Sequence, residues 1–416
     1  MSSTVAHARA KRPVGPGVNA WRNALFIVFG ACGISLASIA ARIPTISLAL
    51  SLSTGEVGVL LAAMAVGSII GLAASGHIVS IFGARRTIMA AFTTLSVALV
   101  AAGFSIAAVG SFPLAFAFLI VLGAAMGTCD VAMNVSGAAN ERAIGRTVMP
   151  LYHAGFSVGT VIGAGLGSLF ESVRVPLQYH LLGLGILEVA AVLIASRFLL
   201  SETAVAAGEE AHPATTWRSR LAIWRDPRTI LIGLVVLGFA FTEGSSNDWL
   251  AYAMVHGHGT NRAIGAAVYG VFVVAMTIGR LSGVRLLDRF GRVPMLRATG
   301  ALAALGLLLF IFVPVFWVNI VGVVFWGLGA SLGFPVGMSA AADDPHKAAA
   351  RVSAVASIGY VAFLVGPPSI GFLGNQFGIL NGLLLVLVLV AMASIVSFAT
   401  RNPAAVAEET PRRVAP

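Results

Sequence analysis

The chain has 416 residues, of which 58% are hydrophobic and 10% are Asp, Glu, Lys or Arg. Soluble domains carry about 25% charged residues, so a set of water-soluble domains is excluded. The formal charge of +10, from 26 Lys+Arg against 16 Asp+Glu, does not mark a nucleic-acid binder either. The cations fall between apolar segments along the whole chain, and no basic domain lies outside them.

Residues 1–20 read as a polar cytoplasmic tail without the apolar core of a cleavable signal peptide, which leaves the first span to direct insertion. Apolar runs near Ala24–Ala41, Val57–Val79, Ile88–Ala108, Pro113–Val135, Val148–Phe170 and Leu177–Leu200 make a first bundle, residues 21–200. Residues 201–228 form the longest non-apolar stretch. They read as a flexible cytoplasmic linker with a basic amphipathic stretch, Trp217–Trp224, on the membrane surface. Runs near Thr229–Val255, Ala263–Leu287, Met295–Val313, Phe316–Ala342, Val352–Leu373 and Ile379–Thr400 make a second bundle, residues 229–400, followed by a cytoplasmic tail, 401–416. Each run has the length of a membrane helix, about 20 residues, and not the roughly 10 of a barrel strand. The expected fold is all-α and integral to the membrane, with twelve transmembrane helices in two pseudo-symmetric six-helix bundles.

Cations set the orientation. Almost all fall in alternate loops (Arg85, Arg86, Arg142, Arg146, Arg289 and Arg292 among them), whereas the opposite side keeps Arg42, Arg174 and Arg262, and Arg280 lies within a span. The positive-inside rule then puts both termini in the cytoplasm, as expected for a multi-pass protein of the bacterial inner membrane. Cys32 and Cys129 lie inside apolar runs and read as packing residues.

The two bundles share a register. Val66–Gly71 matches Val274–Gly279 at an offset of 208, which also pairs Gly83 with Gly291, Tyr152 with Tyr360 and Gly163 with Gly371. An offset of 206 pairs Gly123 and Gly127 with Gly329 and Gly333. An even number of helices per repeat keeps the two copies parallel in the membrane.

Ionisable groups inside spans are costly and mark function by default. Asp130 in span 4 has Asn134 one turn later on the same face, and His153 in span 5 is placed to relay protons with it. In span 7, Glu243 and Asn247 share a face and Asp248 is turned about 100° away. Two acids there suit proton coupling, with Glu243 the leading proton carrier, although Asp248 beside Trp249 also fits an interfacial aromatic belt. Arg280 fits either an anionic substrate or a neighbouring acid. Arg42 reads as an entrance gate or a helix stop, and Tyr152, Trp326 and Tyr360 as cavity aromatics or packing. Glu188 in span 6 has no evident role.

No phosphate-cradling Gly-x-x-x-x-Gly-Lys-Ser/Thr motif is present, and His256-Gly257-His258 lacks nearby acids or cysteines. Neither a cofactor nor a metal is expected. No nucleophile with a base stands out, so the chain reads as a non-enzyme.

Twelve helices in a 6+6 repeat with a long middle loop resemble the major facilitator superfamily. Asp288-Arg289-Phe290-Gly291-Arg292 resembles that family's short cytoplasmic motif, and the first-half counterpart keeps Gly83, Arg85 and Arg86 but has Ser80 in place of the acid. The resemblance implies a lock between the bundles at Asp288. Asp130-Val131-Ala132-Met133-Asn134, Phe156-Ser157-Val158-Gly159 and Glu243–Trp249 look like the YbjJ-like facilitators. The implied activity is alternating-access transport. Its expected form is proton-coupled uptake of a small polar organic solute such as a sugar or organic acid; the alternatives are proton-driven drug or metabolite efflux and, more remotely, a membrane enzyme or receptor on the same scaffold. The expected partners are a small-molecule substrate, protons or sodium, and the lipid bilayer, with one chain supplying the whole cavity.

Overall fold

The computed structural model describes residues 16–146, 148–200, 223–344 and 347–401. The expected tails, and the linker up to residue 222, fall largely outside these. Among the described residues, eleven helices are long and apolar enough to cross a membrane. One of them, Thr54–Val109, runs for 56 residues and turns at Gly83, whose φ of 75° and ψ of 157° break the helix. That break divides it into spans 2 and 3, so the chain makes the twelve expected crossings. The others are span 1 (Gly17–Ala40), 4 (Phe112–Ile144), 5 (Met149–Ser172), 6 (Leu177–Ser196), 7 (Pro227–His256), 8 (Arg262–Gly283), 9 (Arg292–Phe312), 10 (Phe316–Ala341), 11 (Ala350–Phe377) and 12 (Ile379–Thr400). The chain is a multi-pass membrane protein. Large apolar side chains such as Leu187, Trp317 and Ile395 are exposed on its outside, where lipid would cover them.

The repeat proposed from sequence has a backbone signature. Gly291, between spans 8 and 9, has φ 80° and ψ 170°, matching Gly83 at the equivalent turn. Positive φ strains any residue with a Cβ, so glycine stands at both positions. One register differs from expectation. A Cβ on Gly123 would meet the Met64 carbonyl and the Ser68 nitrogen, and one on Gly327 would meet the Phe272 carbonyl and the Met276 nitrogen. Met64 to Phe272 and Ser68 to Met276 are both 208 apart, whereas Gly123 to Gly327 is 204. Spans 4 and 10 therefore correspond at 204. Gly329 and Gly333 face Ala303 of span 9 and Phe239 of span 7 instead; the 206 match aligned glycines on different helix faces.

Close helix packing follows from these small residues. A Cβ on Gly67 would collide with the Ile120 carbonyl, and backbone cannot step aside as a flexible side chain can. Gly67→Val should therefore cost about 3 kcal/mol, the upper end for overpacking. A purified variant whose thermal unfolding matched wild type would show that spans 2 and 4 are not in close register.

The two halves meet at the cation-poor end. Gly58 of span 2 packs against the Pro367 carbonyl and Gly371 of span 11, and Ala164 of span 5 lies against Gly270 of span 8. The Ser168 hydroxyl donates to the Ala263 carbonyl at 3.0 Å, and the Thr54 and Tyr252 hydroxyls are 3.1 Å apart. An ion cluster completes this contact. Arg42, 2% exposed, pairs through Nε with Glu171 at 2.9 Å and donates from Nη2 to the Val175 carbonyl. Arg262 of the second half pairs with the other oxygen of Glu171, and the Thr45 hydroxyl donates to Glu171 at 2.7 Å.

At the cation-rich end the second half is stitched to itself. Asp343 accepts from Arg292 at 2.8 Å and Arg228 at 2.9 Å, and Arg228 also donates to the Ala399 and Arg401 carbonyls. Asp226 accepts from Thr229 and Arg351 at 2.8 Å each. Burial alone would raise the Asp226 carboxyl, but these bonds and the Arg228 N–H hold it below its ordinary value. Its contribution to stability is thus complete above the ordinary Asp range, near pH 4, and is lost on acidification through it.

Candidate functional site

Between the halves lies a cavity of about 300 Å³. Its apolar wall includes Leu36, Met64, Met126, Met133, Phe156 and Phe363; its polar groups include Asp130 from the first half and Asn247, Asp248 and Tyr360 from the second. Of the expected cavity residues, these four share the cavity itself.

Span 7 explains how Asn247 and Asp248 come to line it together. The span is α-helical over Pro227–Ser245, opens into a π-helical turn over Ser246–Leu250 and resumes as Ala251–His256. A π turn holds an extra residue, which slips the direction of the side chains relative to plain α spacing. Adjacent residues that would diverge by about 100° both reach the cavity. Tyr269 of span 8, fully buried, donates its hydroxyl to Asn247 Oδ1 at 2.9 Å and orients that amide. Trp249 is also fully buried, so this segment is interior and not an interfacial belt.

Asp130 has one polar neighbour of its own helix: Asn134 Nδ2 donates to its carbonyl at 2.8 Å and to Oδ1 at 3.2 Å. Among the described residues nothing bonds the Asp248 carboxylate.

Glu243 has a different setting from the one expected. Arg280 Nη2 donates to both of its oxygens at 2.8 Å, forming an ion pair within the second half. In this conformation Glu243 is a paired carboxylate, and Arg280 is engaged and not free for an anion. His153 is exposed, its ring edge-on to Phe29 at 5.3 Å, and the charge acting on it is that of Arg280. No hydrogen bond joins it to Asp130 among the described residues, so the expected relay is not formed here.

Other expectations are corrected by burial. Tyr152 is fully buried, stacked on Phe29 at 5.5 Å, with its hydroxyl donating to Asn140. Trp326 is fully buried between Phe272 and Phe310 and donates to the Thr242 carbonyl at 3.0 Å. Both are packing residues, not cavity walls. Arg42 is buried in the ion cluster, which joins the two halves and was not foreseen. His258 bonds the Phe310 carbonyl at 2.9 Å, and His256 stacks on Tyr252. Glu188 points inward to Ser35, away from lipid.

The motif acid makes no lock in this conformation, in which the halves meet at the opposite end. Asp288 is exposed, as are Arg85, Arg86, Arg289 and Gly291, and no described residue bonds Asp288. Arg292 of the same motif instead reaches Asp343, an acid the sequence reading passed over. Asp343→Asn should lower the melting temperature of the purified protein by several degrees, because two partly buried arginines lose their carboxylate. Asp288→Asn should leave it within about a degree, as exposed charges contribute little. Equal effects would overturn this division of roles.

The model of the Major Facilitator Superfamily matches residues 25–360 and 249–416, overlapping segments that together take in both halves. The chain belongs to the major facilitator superfamily. An uncharacterised MFS-type transporter of Yersinia pestis is 30% identical over 279 residues, 66% of this chain and 70% of that protein. The membrane protein MosC of Rhizobium meliloti is 28% identical over 285 residues, 67% and 66% of the two chains. Among solved structures, the nucleoside transporter NupG superimposes with a TM-score of 0.70 at 14% identity, covering 93% of this chain and 98% of its own. The E. coli fucose:proton symporter FucP gives 0.61 at 16% identity, covering 91% and 98%. The likeness to these two structures is one of fold. This facilitator is therefore a membrane transporter and not an enzyme, and its cavity is the place to look for cargo.

Proposed function

We propose that this facilitator is a proton-coupled secondary transporter that carries a small uncharged polar solute by alternating access. One observation carries the reading: each half contributes one carboxylate to the same cavity, Asp130 and Asp248, while the neighbouring cation, Arg280, is held by Glu243. An ionised acid in such a setting costs several kcal/mol, and binding a proton removes that cost. A cavity lined by two acids, with no cation among its described lining residues, suits an anionic cargo poorly, which favours a sugar-like solute over an organic acid. Asn247 and Tyr360 offer the hydrogen bonds such a solute needs. The cargoes named for two proteins of the same fold, nucleoside and fucose, are of this uncharged polar class.

The contacts between the halves cluster at the cation-poor end. With the cation-rich loops in the cytoplasm of a bacterial cell, as the positive-inside rule favours, both termini are cytoplasmic and this conformation is closed to the outside. One chain supplies both walls of the cavity and works as a monomer.

A second reading, proton-driven efflux of amphipathic compounds, draws support from Met64, Met126, Met133, Phe156 and Phe363, adaptable and aromatic side chains in the lining. Purified protein in liposomes loaded with a pH-sensitive dye distinguishes the two. Solute entering together with protons, from pools of sugars and nucleosides, is the expected result. Lipophilic cations leaving against incoming protons would favour efflux. Solute movement without proton movement would overturn the coupling.

A further inference from the structure

Glu188 is a carboxyl that the cavity does not use. It lies in span 6, which packs against spans 1 and 3, and is 4% exposed. One oxygen accepts the Ser35 hydroxyl of span 1 at 2.7 Å. The other is buried and has no hydrogen-bond partner. No arginine, lysine or histidine pairs with it among the described residues. Span 1 presents Ser35 and, one turn earlier, Cys32; the Ser96 carbonyl of span 3 lies close to span 6 at Gly185.

Other small polar side chains lie on the helices of the first bundle. The Cys32 thiol lies 3.9 Å from the Cys129 thiol of span 4, and Cys129 immediately precedes Asp130. Cys32, one turn from Ser35, is near enough to feel the charge of both Asp130 and Glu188. Two further buried hydroxyls in this bundle, those of Ser38 and Ser96, have no partner. An ionised carboxylate with a single hydroxyl donor is not sustained in such a place, whereas a neutral carboxylic acid is. Unpartnered buried hydroxyls are sites that one or two water molecules can bridge.

We infer that Glu188 is a second proton-holding carboxyl, in series with Asp130, storing inside the first bundle a proton that reaches it by way of the cavity. The balance is simple: the hydrogen on Glu188 leaves as H⁺ for an ionised Asp130, which becomes neutral while Glu188 becomes for that moment the carboxylate, and the reverse transfer refills Glu188. The inference rests on the proton-coupled reading, but its test needs no cargo.

Infrared spectra of the purified protein in lipid, recorded at neutral pH in H₂O and D₂O, read the acid directly. A C=O band of a protonated carboxylic acid is expected, shifting in D₂O and missing in Glu188→Gln. In case that variant fails to fold, wild-type protein labelled with [¹³C]glutamate should shift the same band, since the buried Glu171 and the half-buried Glu243 are paired with arginines. Asp130→Asn should keep the band but slow its exchange with D₂O. Absence of the band in wild type would overturn the assignment, and unslowed exchange in Asp130→Asn would overturn the connection to the cavity. Either result leaves the cargo-driven proton flux, and hence the proposed function, to be judged separately in liposomes.

Discussion

Replacing Glu171 by glutamine should be among the most damaging single changes in the protein. The carboxylate serves two arginines at once, and one of them, Arg42, is 2% exposed. Burial already pushes the Arg42 guanidinium below its ordinary value, with Glu171 opposing that shift. Removing one member of a buried ion pair leaves the other uncompensated, at a cost of about 3–5 kcal/mol. The melting temperature should fall by many degrees. The second consequence is positional, because Arg262 comes from the opposite half. Spin labels at Ser168→Cys and Ala263→Cys, now joined by a hydrogen bond, should move apart when Glu171 is also changed. An unchanged label distance together with an unchanged melting point would remove any role for the cluster in holding this end shut.

Asp248→Asn should collapse accumulation. A gradient of one pH unit drives about tenfold accumulation of an uncharged solute moved with one proton. With an amide in place of the carboxyl the ratio should fall to about one, while exchange of labelled for unlabelled solute continues, because Asn247, Tyr360 and the apolar wall still form the cavity. Full accumulation in this variant would exclude Asp248 as a proton carrier. Loss of exchange as well would move it from proton handling to cargo binding.

Much of the architecture was legible in the sequence because membrane insertion leaves few options: apolar length sets the spans, and the 208-residue spacing sets the repeat. Gly83 and Gly291 stood out as a matched pair at that spacing, and the structure gives the reason: both turns have a positive φ, which favours glycine. Ionisable side chains inside spans stood out by cost alone, and Asp130 and Asp248 do face the cavity. What escaped were relationships between helices. Glu243 read as a free acid because its partner, Arg280, lies 37 positions away on another span. Glu171 drew no notice because an acid near a span end is unremarkable until Arg42 and Arg262 converge on it. The slip in span 7 had no sequence signal either, since a π turn is set by how neighbouring helices crowd it. Tyr152 and Trp326 stayed open between cavity wall and packing, because ring size alone does not tell a wall from a core.

The two cavity acids stand in spans 4 and 7, which are not counterparts in the duplication; span 4 corresponds to span 10. A perfectly repeated protein would present a cargo with the same surface on its left and right, and a molecule could sit either way round. Here one flank offers Asp130 among methionines and the other Asp248 beside Asn247 and Tyr360. Such a chamber has a front and a back: it should hold its guest in a single pose, so moving one polar group from one end of a solute to the other should change how well it is carried.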